Sequence, residues 1–291
     1  MERLKSPKTK LVLSIFATAL GVALVVYLVP FDQVAKALRE ISLKSLLIGF
    51  FLYFLSYLFR TLRWKIYYPE APFGYLLLTT SVNTFLNNTV PMRLGELSVF
   101  GFLRRYDEGT KTTLKKFLKV RLYDAVALLT LLTFAVVALK TNAVFGIISA
   151  AAVYPLFLIS TRVVSFGKLP HLEFEPKTFA YSVGALLTKL AAVYTVLEFL
   201  RIGFVKFTVG FLGGEISSIL PVNAVANLGT YESGFSLALK LITGESFKEG
   251  FRVAFLSHAF LLLASVLLGG LSLLYLLTKV KPLRGSKANL K

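Results

Sequence analysis

Residues 73–103 read FGYLLLTTSVNTFLNNTVPMRLGELSVFGFL. Both ends are apolar enough to lie in a membrane, but Asn83, Asn87, Asn88, Pro91, Arg93, Gly95 and Glu96 gather near the middle. In one continuous lipid-facing helix, charges at that depth would cost about 2.5–3.5 kcal/mol each. Two half-helices folded into a re-entrant hairpin avoid the cost, because the polar tip is then buried in protein or lines a wet cavity. About 13 residues per arm reach roughly 20 Å, to the midplane and beyond.

The rest of the chain has the composition such a hairpin needs. Of 291 residues, 56% are apolar and only 16% are charged, and the mean hydropathy is +0.71. Soluble domains carry about 25% charged residues. This chain lacks the polar surface to cover such a domain, which excludes a soluble enzyme, a secreted domain and a disordered tail. It has no cysteine, so disulfides, thiolate metal sites and cysteine nucleophiles are excluded as well. A net charge of +18 would suggest nucleic acid in a soluble protein. Here Lys and Arg sit in short clusters between apolar runs, the pattern of cytoplasmic loops, and no nucleic-acid partner is expected.

Spans are expected at residues 11–29, 45–62, 122–139, 143–159, 178–200 and 253–277, with an interfacial amphipathic helix over 31–44. The cluster Arg60, Arg63, Trp64 and Lys65 closes the second span, read first as an interface anchor and otherwise as a contact to a lipid headgroup. A second broken stretch, 205–241, contains Gly213, Gly214, Glu215, Pro221, Asn223, Asn227, Gly229 and Glu232, and predicts a second hairpin. With the N-terminus cytoplasmic and each hairpin leaving by the face it entered, cytoplasmic segments hold 22 Lys and Arg against 9 outside. That bias obeys the positive-inside rule. The expectation is a single all-α polytopic membrane domain over residues 1–291, lying in the cell membrane with both termini cytoplasmic. It comprises about six transmembrane helices plus two oppositely facing re-entrant helical hairpins, 73–103 and 205–241. The tips share a loose pattern of Pro, Leu-Gly and Glu (Pro91, Leu94-Gly95, Glu96; Pro221, Leu228-Gly229, Glu232), which fits an inverted repeat.

Charged residues inside a membrane are the functional candidates. Arg93 and Glu96 stand three apart and share a face of a half-helix. Pro91 suits that half-helix's first turn, and its free N–H groups beside Arg93 would favour an anion such as a phosphate. The other reading is an Arg93–Glu96 ion pair that only holds the tip together. Arg121 and Asp124 repeat the spacing, either as a phosphate contact with its orienting carboxylate or as an interfacial pair. Asn83, Asn87 and Asn88 either line the cavity or cap the half-helix. Glu215 and Glu232 either relay protons and bind a cation or pair with Lys189. Gly213-Gly214 reads as close packing or a turn, and His258 as a packed or hydrogen-bonded residue. No P-loop, nucleophile elbow, dinucleotide fingerprint or histidine-rich metal site occurs, so neither enzymatic activity nor a cofactor is expected.

The series Asn87-x-x-x-Pro91-x-Arg93-x-Gly95-Glu96, Arg121-x-x-Asp124 and Pro221…Gly229-x-x-Glu232 resembles the transmembrane region of lysylphosphatidylglycerol synthases, the multiple peptide resistance factor family, and its stand-alone flippase-like relatives. The likeness covers roughly residues 10–280. In the fused members this region is held to flip the aminoacylated lipid to the outer leaflet, while a separate cytoplasmic domain makes that lipid from aminoacyl-tRNA. This sequence stops at Lys291 without such a domain, so aminoacyl transfer is not expected. Its second tip reads Asn-Ala-Val-Ala-Asn-Leu-Gly where relatives are richer in glycine, and some stand-alone relatives resemble archaeal proteins tied to polyprenyl-phosphate sugar carriers.

The resemblance implies a flippase-like transporter for a phosphate-bearing lipid, either a phospholipid or a polyprenyl-phosphate-linked one. Arg93 and Arg121 would hold the phosphate, with Asn87, Glu96, Asp124 and Glu232 around the cavity. The alternative is a membrane partner that docks a glycosyltransferase or supplies it with lipid-linked sugar. Partners are then membrane lipid with an anionic or polyprenyl-phosphate headgroup, and a separate cytoplasmic synthetase or glycosyltransferase. The sequence does not fix the oligomeric state.

Overall fold

A computed structural model of the chain describes residues 7–29, 31–90, 95–163, 175–219 and 224–279. The described residues are helical, with no strand among them. The helices are α1 (Pro7–Leu28), α2 (Phe31–Glu40), α3 (Leu43–Tyr67), α4 (Phe73–Thr89), α5 (Glu96–Leu103), α6 (Thr110–Lys140), α7 (Ala143–Val163), α8 (Pro176–Val196), α9 (Phe204–Ile219), α10 (Thr230–Thr243), α11 (Phe247–Ser265) and α12 (Leu271–Lys279).

Among the described residues five helices are long and apolar enough to cross a membrane: Leu43–Tyr67, Thr110–Lys140, Ala143–Ser160, Pro176–Val196 and Phe247–Thr278. The expectation was about six. α1 is helical over 22 residues, but its described apolar stretch, Thr18–Leu28, is shorter than a span. Bilayer exposure explains the surface of α7, where Val144, Phe145, Ile147, Ile148, Leu156 and Ile159 all face outward. Such side chains are tolerated only where the surroundings are apolar too.

Several boundaries move for local reasons. The amphipathic helix ends at Glu40 rather than 44, because the Ser42 hydroxyl accepts from the Ser45 N–H at 3.0 Å and starts α3 there. Its inward face is Val34 and Ala37, continued by Ile41 just past its end, while Lys36, Arg39 and Glu40 are exposed. α3 runs on to Tyr67, so Arg60 and Arg63 sit inside a helix rather than closing it. The basic segment before residue 122 is helical, and α6 is one 31-residue helix, about 46 Å long, that projects beyond the apolar layer. The last span is continuous through a π-helical turn, Val266–Gly270. At Gly269 a Cβ would stand 2.5 Å from the Ser81 carbonyl oxygen, so the turn is where α4 packs directly on backbone.

The bundle core joins α3, α8, α9, α10 and α11 through Tyr53, Tyr57, Val193, Phe211, Phe235 and Leu256. α9 and α10 are antiparallel: Gly210 meets Phe235, and Gly214 meets Tyr231. Here the close-packing expectation for Gly213-Gly214 holds, since a Cβ at Gly213 would stand 2.5 Å from Gly234 O. α4 and α5 also run antiparallel, with Tyr75 bonded to the Phe102 carbonyl at 2.9 Å and Asn83 to the Gly95 carbonyl at 2.8 Å. The connection into α10 is held by α1: Val225 N–H donates to Thr18 Oγ1 at 2.9 Å, and Gly229, at φ 80°, lies against Gly21. Any side chain at 229 would both strain the backbone and strike α1.

Candidate functional site

Inside the bundle, α3, α4, α6, α8, α9, α10 and α11 enclose a cavity of about 140 Å³. Most of its lining residues are polar or charged, which is costly to build inside an apolar bundle. At one end are Arg60 from α3, Asn83 and Thr84 from α4, Arg121 and Asp124 from α6, and Ser182 from α8, with Asn87 and Asn88 one turn further along α4 toward the other. Lys189 from α8, Glu215 from α9, Tyr231 from α10 and His258 from α11 form the other. Ser182 and Lys189 are two turns apart on α8, so the two ends are separated by roughly 10 Å.

The arginine end is an ionic network. Arg121 reaches Glu96 at 3.0 Å and Asp124 at 3.4 Å. The second Asp124 oxygen accepts from Arg63, which also donates to Ser182 Oγ at 2.8 Å. Arg63 is only 4% exposed, so it is held by its carboxylate rather than by water. Arg60 differs. Its only hydrogen bond is to Thr84 Oγ1 at 3.5 Å, and no carboxylate pairs with it among the described residues. Among the described cations of the wall it is the one without an ion pair, with Asp124 the carboxylate that feels its charge.

At the other end, Lys189 forms hydrogen bonds to both Glu215 oxygens, at 2.7 and 2.9 Å. Of the two readings for Glu215, ion pairing with Lys189 is therefore present. Glu232 has other partners. It is fully buried, accepts from Gly229 N–H at 2.6 Å and meets His258 Nδ1 at 2.7 Å. Three wall residues carry buried polar atoms without a hydrogen-bond partner among the described residues: Asn87 Oδ1, Arg121 Nε and the Tyr231 hydroxyl. Buried polar atoms are nearly always satisfied, so unmatched ones around a cavity point to a polar ligand or solvent.

Of the residues expected from sequence, Asn87, Arg121 and Asp124 line the cavity. Glu96 stands behind Arg121, and Glu232 stands behind Tyr231 and His258. Arg93, with Pro91, Pro221 and Asn223, lies outside the described residues. Asn83 ties α4 to Gly95 and Ser98, and Asn87 donates to Asn83, so the amides both brace the α4–α5 turn and face the cavity. Sequence reasoning missed Arg60, Arg63 and Ser182. The one available signal was the three-residue spacing of Arg60 and Arg63, which puts them on neighbouring positions of one helix face.

Among the described residues no group of three or more His, Cys, Asp or Glu could hold a metal ion. A second cavity, about 290 Å³, lies beside Arg201, Lys206, Glu245, Glu249 and Arg252. Its ion pair Lys206–Glu245, at 2.8 Å, is 45% exposed on both sides, so water already solvates it.

The profile of the family Lysylphosphatidylglycerol synthase TM region matches residues 11–269. The chain belongs to this family. A comparison with curated proteins finds no match. The matched residues run from α1 to the π-helical turn and so include every wall residue of the first cavity. As a lysylphosphatidylglycerol synthase TM region, the chain is a multi-pass membrane protein related to lipid handling.

Proposed function

We propose that the protein is a flippase-like transporter that moves a phosphate-bearing lipid between leaflets, its headgroup passing through the polar cavity while its chains stay in the bilayer. The observation that carries this reading is Arg60, a cation with no carboxylate within ion-pair distance among the described residues, beside Arg121 in a cavity lined also by amides and hydroxyls. Two guanidinium groups suit a phosphate because their N–H pairs match its oxygens. Arg93, from the tip between α4 and α5, is assigned to the same phosphate.

In this reading α4–α5 and α9–α10 are the two re-entrant hairpins. Their arms have 17 and 8, and 16 and 14 residues, about 26, 12, 24 and 21 Å, all short of the roughly 30 Å of hydrocarbon. The chain lies in the cell membrane with both termini cytoplasmic, as the basic bias favours. The protein acts as a carrier rather than an enzyme, and a separate synthetase or glycosyltransferase supplies or consumes its lipid.

Purified protein is reconstituted in phosphatidylcholine vesicles with fluorescent phosphatidylglycerol, and with fluorescent polyprenyl phosphate in a parallel set. Accessibility to an external quencher then reports movement between leaflets. Movement of either lipid that is lost with Arg60→Ala and with Arg93→Ala supports the proposal and names the lipid class. No movement of either lipid by the unaltered protein overturns it and favours the docking role.

A further inference from the structure

The Glu232–His258 pair is more than the turn before α10 needs. Gly229 N–H requires one acceptor oxygen there, which an uncharged Gln at position 232 would supply equally. Instead the position holds a fully buried carboxylate whose second oxygen meets an imidazole. His258 is itself buried, packs its ring against Tyr231 at 4.8 Å between centroids, and lines the cavity. Its Nδ1 is committed to Glu232, while Nε2 makes no hydrogen bond among the described residues. The Tyr231 hydroxyl beside it is buried and unmatched. An acid–imidazole couple with one free ring nitrogen beside a polar cavity is the arrangement of a proton-binding site.

The surroundings set what that proton does. α11 packs against α10, α4, α1, α9 and α8. Glu232 and Tyr231 on α10 contact His258 directly, and the same cavity wall carries Glu215 on α9, Lys189 on α8 and the amides of Asn87 and Asn88 on α4. Tyr53 of α3 lies behind Phe260. α1 brings the apolar Val25 and Val29 to Phe251, farther along α11. Lys189 and Glu215 neutralise each other, so the His258–Glu232 couple decides the net charge of this end: −1 with a neutral ring, zero with a protonated one. An anionic headgroup entering the cavity is opposed by the first state and admitted by the second.

We propose that the Glu232–His258 pair is a coupling-proton site: Nε2 takes up one proton as an anionic headgroup enters the cavity and releases it as the headgroup leaves. One N–H bond forms and later breaks, and the proton cancels the negative charge of the site itself while the headgroup is bound. Proton and lipid thus cross together. The proposal rests on the lipid-moving reading and adds its energy source.

Two measurements on the full chain separate the two claims. Calorimetry of dioleoyl-phosphatidylglycerol binding in detergent, in buffers of different ionisation enthalpy, counts protons. About one is taken up per lipid, and His258→Asn, which keeps a donor for Glu232, takes up none. In vesicles, fluorescent phosphatidylglycerol moves faster with a proton gradient aligned to its movement. Without a gradient its rate falls on the order of tenfold per pH unit on the alkaline side, the slope of one proton. Glu232→Gln and His258→Asn both lose that slope. Lipid movement with no proton uptake and no pH dependence overturns the coupling and leaves the transporter standing. Proton uptake on binding without lipid movement keeps the site and sinks the transporter. Absence of both overturns both.

Discussion

Asp124→Asn tests the network that shapes the arginine end. Arg63 is 4% exposed and, among the described residues, Asp124 is its only carboxylate partner. Breaking a buried pair by removing one member costs about 3–5 kcal/mol, because the other charge stays buried. Asp124 retains 31% side-chain exposure, and asparagine still accepts one hydrogen bond, so the expected loss falls to about 2–3 kcal/mol. Arg63→Met combined with Asp124→Leu removes the stranded charge and should return to within about 1 kcal/mol of the unaltered protein. The coupling between the two sites is then at least about 1 kcal/mol. Trp64, the only tryptophan, is the neighbour of Arg63 and is 7% exposed. Its fluorescence during SDS titration of mixed micelles reports unfolding for five proteins: the unaltered one, Asp124→Asn, the single variants Arg63→Met and Asp124→Leu, and the double variant. Additive losses in the double variant, or an Asp124→Asn change under about 0.5 kcal/mol, would refute a load-carrying buried pair.

Arg60→Ala should lower lipid binding about 10- to 100-fold, the range for a lost charge-assisted hydrogen bond, and leave Trp64-monitored unfolding nearly unchanged. Arg60→Lys should restore part of the affinity, because the charge returns without the planar fork. Gly229→Ala forces φ 80° on a side chain aimed at Gly21, so a loss of about 1–3 kcal/mol is expected, while Gly244→Ala, which shares the positive φ but has open space around it, should cost less. Outside the spans, Asp107 binds Tyr68, Thr113 and Lys116 at 2.8, 2.8 and 2.6 Å. Burial works against its charged form, but these donors together outweigh it and hold its pKa below the usual carboxylate value. The clamp between α3 and α6 is therefore complete above the unfolded carboxylate value, about 3.9, and is lost as pH falls through the lower folded value. Asp107→Asn should remove that acid limb from the stability profile, and an unchanged limb would assign it to another carboxylate.

Much of the architecture was written in local composition. An apolar run of span length must cross a membrane or be buried. Asn, Arg, Pro and Glu in the middle of such a run demand a break, and α4 and α5 do pair around one. Helix ends were less legible, since a single Ser42 hydroxyl or a continued basic helix shifts them without changing hydropathy. The family signature also lay in the sequence, as an ordered set of short motifs, and the profile match over 11–269 agrees with it.

The site divided differently. Arg121, Asp124 and Asn87 were visible because a charge or amide in an apolar run is costly and therefore conspicuous. Arg60 and Arg63 were not, because a basic cluster at the end of a span reads as an anchor whether its side chains turn outward to headgroups or inward to a carboxylate. Only the packing of α3 against α8 and α6 places Arg63 between Asp124 and Ser182, and only α10 against α11 brings Glu232 to His258 across 26 residues of sequence. Solvation of each side chain by its own neighbours fixes the cost of burying it, and that can be read along the chain. Which opposite charge relieves the cost depends on how helices dock, and that is settled in three dimensions.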